Sequence, residues 1–179
     1  DLGLPSGVKW ATYNIGATKP EELGNSYYWG ETTTSMVNNT MYVNVGDDIS
    51  GNAKYDAARA QWGGNWRMPT DAEWAELLEQ CTWEYTCIGV SPNTICGYKV
   101  TCKWNGNSIF LPTLYAYTGS SVQSHGYFYW SSLLYTDNST KALSLHLESG
   151  GFYECNFPIN RGYGLPIRPV LGEYVPEIT

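Results

Sequence analysis

Five cysteines, two histidines and a late pair of glutamates are the side chains best equipped for chemistry in this 179-residue chain. Cys81, Cys87, Cys96, Cys102 and Cys155 lack the C-x-x-C spacing of a zinc site or a thioredoxin-like centre. Cys87 and Cys96 flank a predicted hairpin around Ser91-Pro92-Asn93, so geometry leaves a bridge between them open. Cys81 with Cys102 is a second candidate pair, and buried free thiols acting as small apolar residues are a third reading. The odd number excludes complete pairing within one chain. No pattern places His125 or His146 beside Cys155, so a Cys–His nucleophile is not supported. His146 alternates with Leu143, Leu145 and Leu147, which directs its ring away from those leucines and toward solvent. Glu148 and Glu154 could act as acid and base on a sugar only at a fitting carboxylate separation. The chain has no phosphate loop and no nucleophile elbow. Asp47 and Asp48 lack the spaced ligands of an EF-hand, and a solvated acidic loop is expected there rather than a calcium site. No catalytic residue, metal ligand or cofactor is assigned.

The elements that must position these groups start from Trp62 to Cys81, WGGNWRMPTDAEWAELLEQC. Thr70 and Glu73 have capping-box spacing, Asp71 adds negative charge to the first turn, and Pro69 blocks helix continuation backwards. Trp74, Leu77, Leu78 and Cys81 then fall at i, i+3, i+4 and i+7, one apolar face of an amphipathic helix. A shorter helix over Ala57 to Trp62 is expected before it, capped by Asp56 and ended at Gly63.

Strand signals fill the rest. Short strands around Val8, Trp10 and Ile15, with a turn at Lys19 to Glu22, lead to Tyr27-Tyr28-Trp29. Glu31 to Gly51 reads as a long polar surface loop with a strand pair near Met41 to Val45. A hairpin is predicted from Trp83 to Ile88 and Gly97 to Lys103, and Asn105-Gly106 turns into Ser108 to Leu111. Tyr115 to Ser124, rich in Ser, Gly and Tyr, reads as a loop. Tyr127 to Ser132, Lys141 to Leu147 and Gly150 to Phe157 read as strands, and Leu165 to Val170 closes the chain. Two early helices and late strands predict an α+β domain, helices against a small twisted antiparallel sheet. One domain over residues 1–171 is expected, with a tail at 172–179.

Bulk composition narrows the partners. Net charge is -7 with only 10 Lys plus Arg and no basic cluster, which argues against nucleic acid. No apolar run reaches membrane-spanning length. Eight Trp and 15 Tyr exceed what a core of this size needs, so some rings are expected on the surface as contact residues.

The G-x-W-R-M-P-T-x-x-E-W stretch resembles the core of the C-type-lectin-like fold in its formylglycine-generating-enzyme-like branch. The chain is more closely similar to the "Fibrobacter succinogenes major paralogous" family of secreted Bacteroidetes proteins. The similarity includes DLGLPSGVKWATYNIGATKPEELGNSYYWGE at Asp1 to Glu31, GYKVTCKWNGNSIFLP at Gly97 to Pro112, YWSS at Tyr129 to Ser132, and RGYGLPIRPV at Arg161 to Val170. The chain begins at Asp1 inside a family motif, with no visible signal peptide, so it is read as a trimmed piece.

The resemblance implies a secreted or outer-membrane-attached surface domain from a gut-type bacterium, on a larger protein such as a lipoprotein or pilus-tip adhesin. Formylglycine-generating relatives use two C-terminal cysteines, whereas this chain has only Cys155 there, so oxidase chemistry is not expected. The E-P-N or Q-P-D and W-N-D motifs of calcium-dependent lectins are missing too. Some similar proteins are targets of diversity-generating retroelements that rewrite the C-terminal segment. By that resemblance Trp130, Ser131, Ser132, Ser149, Gly150, Arg161, Gly164, Arg168, Pro169 and Val170 match scaffold. The expected function is non-catalytic recognition of a protein or glycan on a host or neighbouring cell. Its surface would comprise Leu133, Tyr135, Asp137, Asn138, Phe152, Tyr153, Glu154, Asn156, Phe157, Asn160 and Tyr163, an aromatic and amide mixture of paratope type. Alternation should turn about half of these inward. A degenerate formylglycine-type enzyme and a structural surface-layer domain are the alternatives.

Overall fold

The computed structural model describes residues 1–35, 43–90, 94–113, 115–118, 121–151 and 153–173, with backbone alone for 115–118 and 121–125. Local signals set the two helices among the described residues. Helix α1 (Ala57–Trp62) starts where the Asp56 carboxylate accepts the Arg59 amide, and ends at Gly63, whose φ is 68°. Helix α2 (Asp71–Gln80) carries the complete box: Thr70 Oγ1 accepts the Glu73 amide at 3.2 Å, and Glu73 Oε1 accepts the Thr70 amide at 2.9 Å. Trp74 and Leu77 are buried, while Cys81 begins the next strand rather than extending the helix.

The strands are β1 (Lys9–Trp10), β2 (Trp66–Arg67), β3 (Cys81–Ile88), β4 (Ile95–Cys102), β5 (Ser108–Pro112), β6 (Tyr115–Thr118), β7 (Ser121–Leu134), β8 (Lys141–Leu147), β9 (Tyr153–Asn160) and β10 (Val170–Leu171). They form three antiparallel sheets among the described residues, ordered β1-β10-β2, β3-β4-β5 and β6-β7-β8-β9. The chain is therefore α+β. Strand β8 has the predicted bounds, and the β3–β4 hairpin and the Asn105-Gly106 turn into β5 form as expected.

Four expectations change. The Ser, Gly and Tyr run predicted as a loop supplies β6 and the start of β7. Gly126 belongs there for a packing reason: a Cβ at this site would lie 2.2 Å from His146 Nε2. The strand predicted from Gly150 starts at Tyr153 and runs to Asn160. The closing strand is only Val170–Leu171, because Pro166 and Pro169 cannot donate to a ladder. The strand pair expected near Met41 lies partly outside the described residues, so it is not among these changes; Asp48 makes an isolated bridge to Leu133.

The fourth correction concerns His146, which is buried at 7 % exposure rather than turned to solvent. Both faces of the β6–β9 sheet are covered. Tyr129, Leu145 and Leu147 face one core cluster with Trp10, Trp74 and Leu77, while Phe128, Trp130, Ala142 and Ile159 face a second with Trp29, Ile49 and Leu165. His146 stands on the second face, stacked on Phe128 at 4.8 Å and against Phe157 at 4.7 Å. Alternation placed it opposite the leucines correctly, but that side is also core.

Buried polar groups join the layers. Arg168, fully buried, donates to Asn14 Oδ1 (2.7 Å), Ala11 O (3.2 Å) and Phe110 O (2.7 Å). Asn14 Nδ2 donates to Tyr129 Oη, whose hydroxyl donates to Pro112 O. Burial pulls the Arg168 guanidinium down to about 10 and pushes the Tyr129 hydroxyl up to about 12. Arg67 grips Glu73 with two bonds of 2.7 and 2.8 Å and also donates to Gly172 O, tying α2 to the closing strand.

Asp56 uses both carboxylate oxygens. Oδ1 accepts from Arg59 N, and Oδ2 accepts from Gly51 N at 2.7 Å and Met68 N at 2.9 Å. Burial pushes its carboxyl up while these amides pull it down. Asp56→Asn would aim an amide NH2 at backbone donors despite its matching size. Urea unfolding should show a loss of about 2 kcal/mol for this variant, and a larger loss for Asp56→Ala.

Candidate functional site

Cross-strand partners project to the same face of a sheet. The register Trp83↔Val100, Tyr85↔Tyr98 therefore gathers Trp83, Tyr85 and Tyr98 on one side of the β3–β4 hairpin. Tyr98 is the buried centre, 5.8 Å from Trp83 and 5.4 Å from Tyr85. Its hydroxyl donates to Glu148 O, and burial pushes that hydroxyl above its ordinary value. In the neighbouring sheet Tyr127, Leu147 and Tyr153 pair in one row across β7, β8 and β9. Tyr153 closes the seam between the sheets. Its ring stacks on Trp83 at 5.3 Å and meets Tyr98 edge-on at 5.9 Å, yet 37 % of it stays exposed. Aromatic rings in these geometries attract beyond their area, so the wall is rigid.

A cleft of about 460 Å³ opens at this end of the molecule. Tyr85, Ile95 and Tyr127 line it with Leu23, and Glu21 and Glu22 stand on its rim segment. That segment passes close to another strand of chain: at Gly24, with φ of 71°, a Cβ would fall 2.2 Å from Ile15 O. The Thr18 amide holds the Glu22 carboxyl below its usual range. Two more carboxylates stand with His146 on the opposite face of the β6–β9 sheet. His146 Nε2 is 3.5 Å from Glu148, and its Nδ1 is 3.3 Å from Glu154, so the buried imidazole orients two exposed acids.

Of the residues the sequence put forward, the aromatic wall takes Tyr153, while Glu154 pairs with His146 on the opposite face of its sheet. The other described ones lie elsewhere. Leu133, Tyr135, Asp137, Asn138 and Asn160 gather at the opposite end, where Lys141 pairs with Asn160 and Tyr135 N donates to Lys141 O. From Lys141 to Leu147 the strand spans about 20 Å, too far for one small contact patch. A second cleft of about 340 Å³ lies at that far end, lined by Asp47, Leu134, Thr136, Ser139 and Arg161. The buried Arg161 guanidinium sits over Trp29 at 4.8 Å and donates to Ser139 O and Val43 O. Tyr163 packs on the second core cluster, and Phe157 packs on Phe128 and His146, so both are largely structural. Phe152 lies outside the described residues, as does the side chain of His125.

The sequence reading missed Tyr85, Tyr127, Leu23, Ile95, Glu21 and Glu22. The hairpin register could have joined Tyr85 to Tyr98, and alternation from Tyr129 could have placed Tyr127. Nothing local brings residues 21–24 to them. Cys155 is half-buried, and burial together with the Asp71 charge pushes its thiol up, away from nucleophilic use. Cys87 and Cys96 are bridged, which settles one open pairing. Asp48 Oδ1 accepts the Ser50 amide, and among the described residues no three His, Cys, Asp or Glu side chains converge as a metal site. Among them, too, no helix is long and apolar enough to cross a membrane. The expected scaffold residues Trp130, Ser131, Ser132, Arg161, Gly164, Arg168, Pro169 and Val170 are buried, whereas Ser149 and Gly150 are exposed. No family model and no curated protein matches the chain, and no solved structure matches its fold.

Between the two ends, Asn156 marks a bulge in β9. Ser144 pairs with Phe157 and His146 with Glu154, so Cys155 and Asn156 together oppose Leu145. Asn156 takes a φ of 60°, and its amide donates to Asp71 Oδ1 at 2.7 Å, fastening the bulge to the first turn of α2. Asn156→Gly should leave the melting temperature nearly unchanged, because glycine accepts this backbone. Asn156→Val should lower stability by about 1–2 kcal/mol in the same thermal or urea measurement.

Proposed function

We propose that this chain is a non-catalytic recognition domain of C-type-lectin-like fold, secreted or displayed on a bacterial surface, and that it binds a glycan with the aromatic end of its sheets. The observation that carries the reading is the continuous wall of Tyr153, Trp83, Tyr98 and Tyr85 beside the Tyr127 cleft. Ring faces offer rigid apolar area for the C–H faces of a sugar. Glu21 and Glu22 offer acceptors for its hydroxyl donors. Binding would draw most of its free energy from a few rings, with hydrogen bonds setting orientation. The Cys87–Cys96 bridge supports an oxidising, extracytoplasmic setting. The buried state of most scaffold residues supports the retroelement-type division between frame and contact residues. Metal and cofactor have no part in this proposal, and the carrier would be a larger surface protein or pilus.

Glycan and surface-protein arrays test it with the unaltered domain, Tyr153→Ala, Tyr85→Ala and Tyr135→Ala, each checked by thermal melting. A glycan hit should weaken about 10–100-fold on Tyr153→Ala or Tyr85→Ala and persist in Tyr135→Ala. Loss confined to Tyr135→Ala would move the site to the far end. A protein hit lost with Tyr153 would keep the surface and change the ligand class. Concentration-dependent self-association without any hit would favour a structural surface-layer role.

A further inference from the structure

The β3–β4 hairpin holds two cysteine pairs, and only one is bridged. Cys87 lies opposite Cys96, and Cys81 opposite Cys102, at the two ends of the same ladder. Cys87 follows Cys81 by six positions and Cys102 follows Cys96 by six, an even offset, so all four side chains project from one face. Their backbones also occupy equivalent positions. Cys96 O accepts from Thr113 N, and Cys102 N donates to Asn107 O, so both residues turn their main-chain groups toward β5 and away from β3. Lys103 N donates to Gln80 O, which places the hydrogen-bonded pair one step outside Cys81 and Cys102. Both cysteine pairs are therefore of the non-hydrogen-bonded type, in which opposed side chains approach most closely. The geometry that admits one bridge admits the other.

We infer that Cys81 and Cys102 form a second cross-strand disulfide, leaving Cys155 as the one free thiol. This inference is independent of the ligand reading. The chemistry is thiol–disulfide exchange with a disulfide oxidant such as oxidised glutathione. The Cys81 thiolate attacks one oxidant sulfur and expels one glutathione thiolate. The Cys102 thiolate then attacks the Cys81 sulfur of the mixed disulfide and expels the second. Two electrons pass from the cysteine pair to the oxidant, and the protons of the two cysteines pass through solvent to the released thiolates.

Timing follows from burial. Cys81 and Cys102 are 3 % and 2 % exposed, and burial, reinforced by Cys102, pushes the Cys81 thiol up to about 12. Exchange therefore reaches the pair while the chain folds or opens locally, and hardly at all once the core is closed. The finished bridge would staple β3 to β4 at the end next to α2, as Cys87–Cys96 does at the turn. Trp83 and Tyr85 lie between the two staples.

The test refolds reduced, unfolded protein under a reduced and oxidised glutathione pair, then denatures it without reductant and titrates thiols. One reactive thiol per chain is expected, and a peptide map should join Cys81 to Cys102. In Cys87→Ser/Cys96→Ser, again one thiol should react, and reducing that variant should lower its melting temperature by roughly 5–10 °C. Three reactive thiols in the unaltered chain, with Cys81 and Cys102 both alkylated, would overturn the inference. A map joining Cys155 to either partner would overturn it as well.

Discussion

A fully buried guanidinium with no carboxylate against it among the described residues is the constraint around which this fold is arranged. Arg168 carries its charge into the core and meets only neutral acceptors, two backbone carbonyls and the Asn14 amide oxygen. Leaving such a donor set unmatched costs several kcal/mol, so all three acceptors must arrive together. They come from the N-terminal segment at Ala11 and Asn14 and from β5 at Phe110. Asn14 in turn fixes Leu23 O and the Tyr129 hydroxyl, and Tyr129 reaches Pro112. One side chain near the C-terminus thus sets where the first 25 residues, β5 and β7 must lie. The rim of the aromatic cleft belongs to the first of these, directly before Leu23.

Helix α2 plays the complementary role for the last strands. Glu73 clamps Arg67, Asp71 receives the Asn156 amide, and the Trp74 indole donates to Trp130 O. Three contacts from one short helix hold β2, β7 and β9 in register with one another. The β9 bulge then follows from two demands. Asp71 in the first turn of α2 holds the Asn156 amide, while the pairing of His146 with Glu154 and Leu147 with Tyr153 must be kept at the strand's start. Tyr153 reaches the Trp83 stack because the bulge restores that register.

Local rules made much of the scaffold legible. Capping residues placed both helices, and alternation gave β8 and the β3–β4 hairpin. What sequence could not convey was which faces are covered twice. Strand alternation located His146 opposite its leucines, yet only the packing of Phe128 and Phe157 reveals that this side is also core. Segment 115–124 misled for a related reason. Its small residues are loop-like in composition, whereas Gly126 is small because His146 occupies the space beside it. The contact surface was the least legible feature. Neighbours in sequence between Leu133 and Tyr163 are divided by the length of β8, and the cleft draws on segments near residues 23, 85, 95 and 127. Proximity of that sort is created by tertiary register, and sequence order carries little sign of it.

The large anchoring side chains share a further habit. The indoles of Trp29, Trp74, Trp83 and Trp130 donate to Ser131 O, Trp130 O, Leu77 O and Tyr27 O respectively. Arg161 and Arg168 likewise reach mostly for main-chain oxygens. Every amino acid supplies a carbonyl. An anchor that grips the main chain does not care which residue type sits at the gripped position. Substitution can accumulate at many such positions without loosening the frame, and an evolving lineage could exchange its outward chemistry wholesale while inheriting the same architecture.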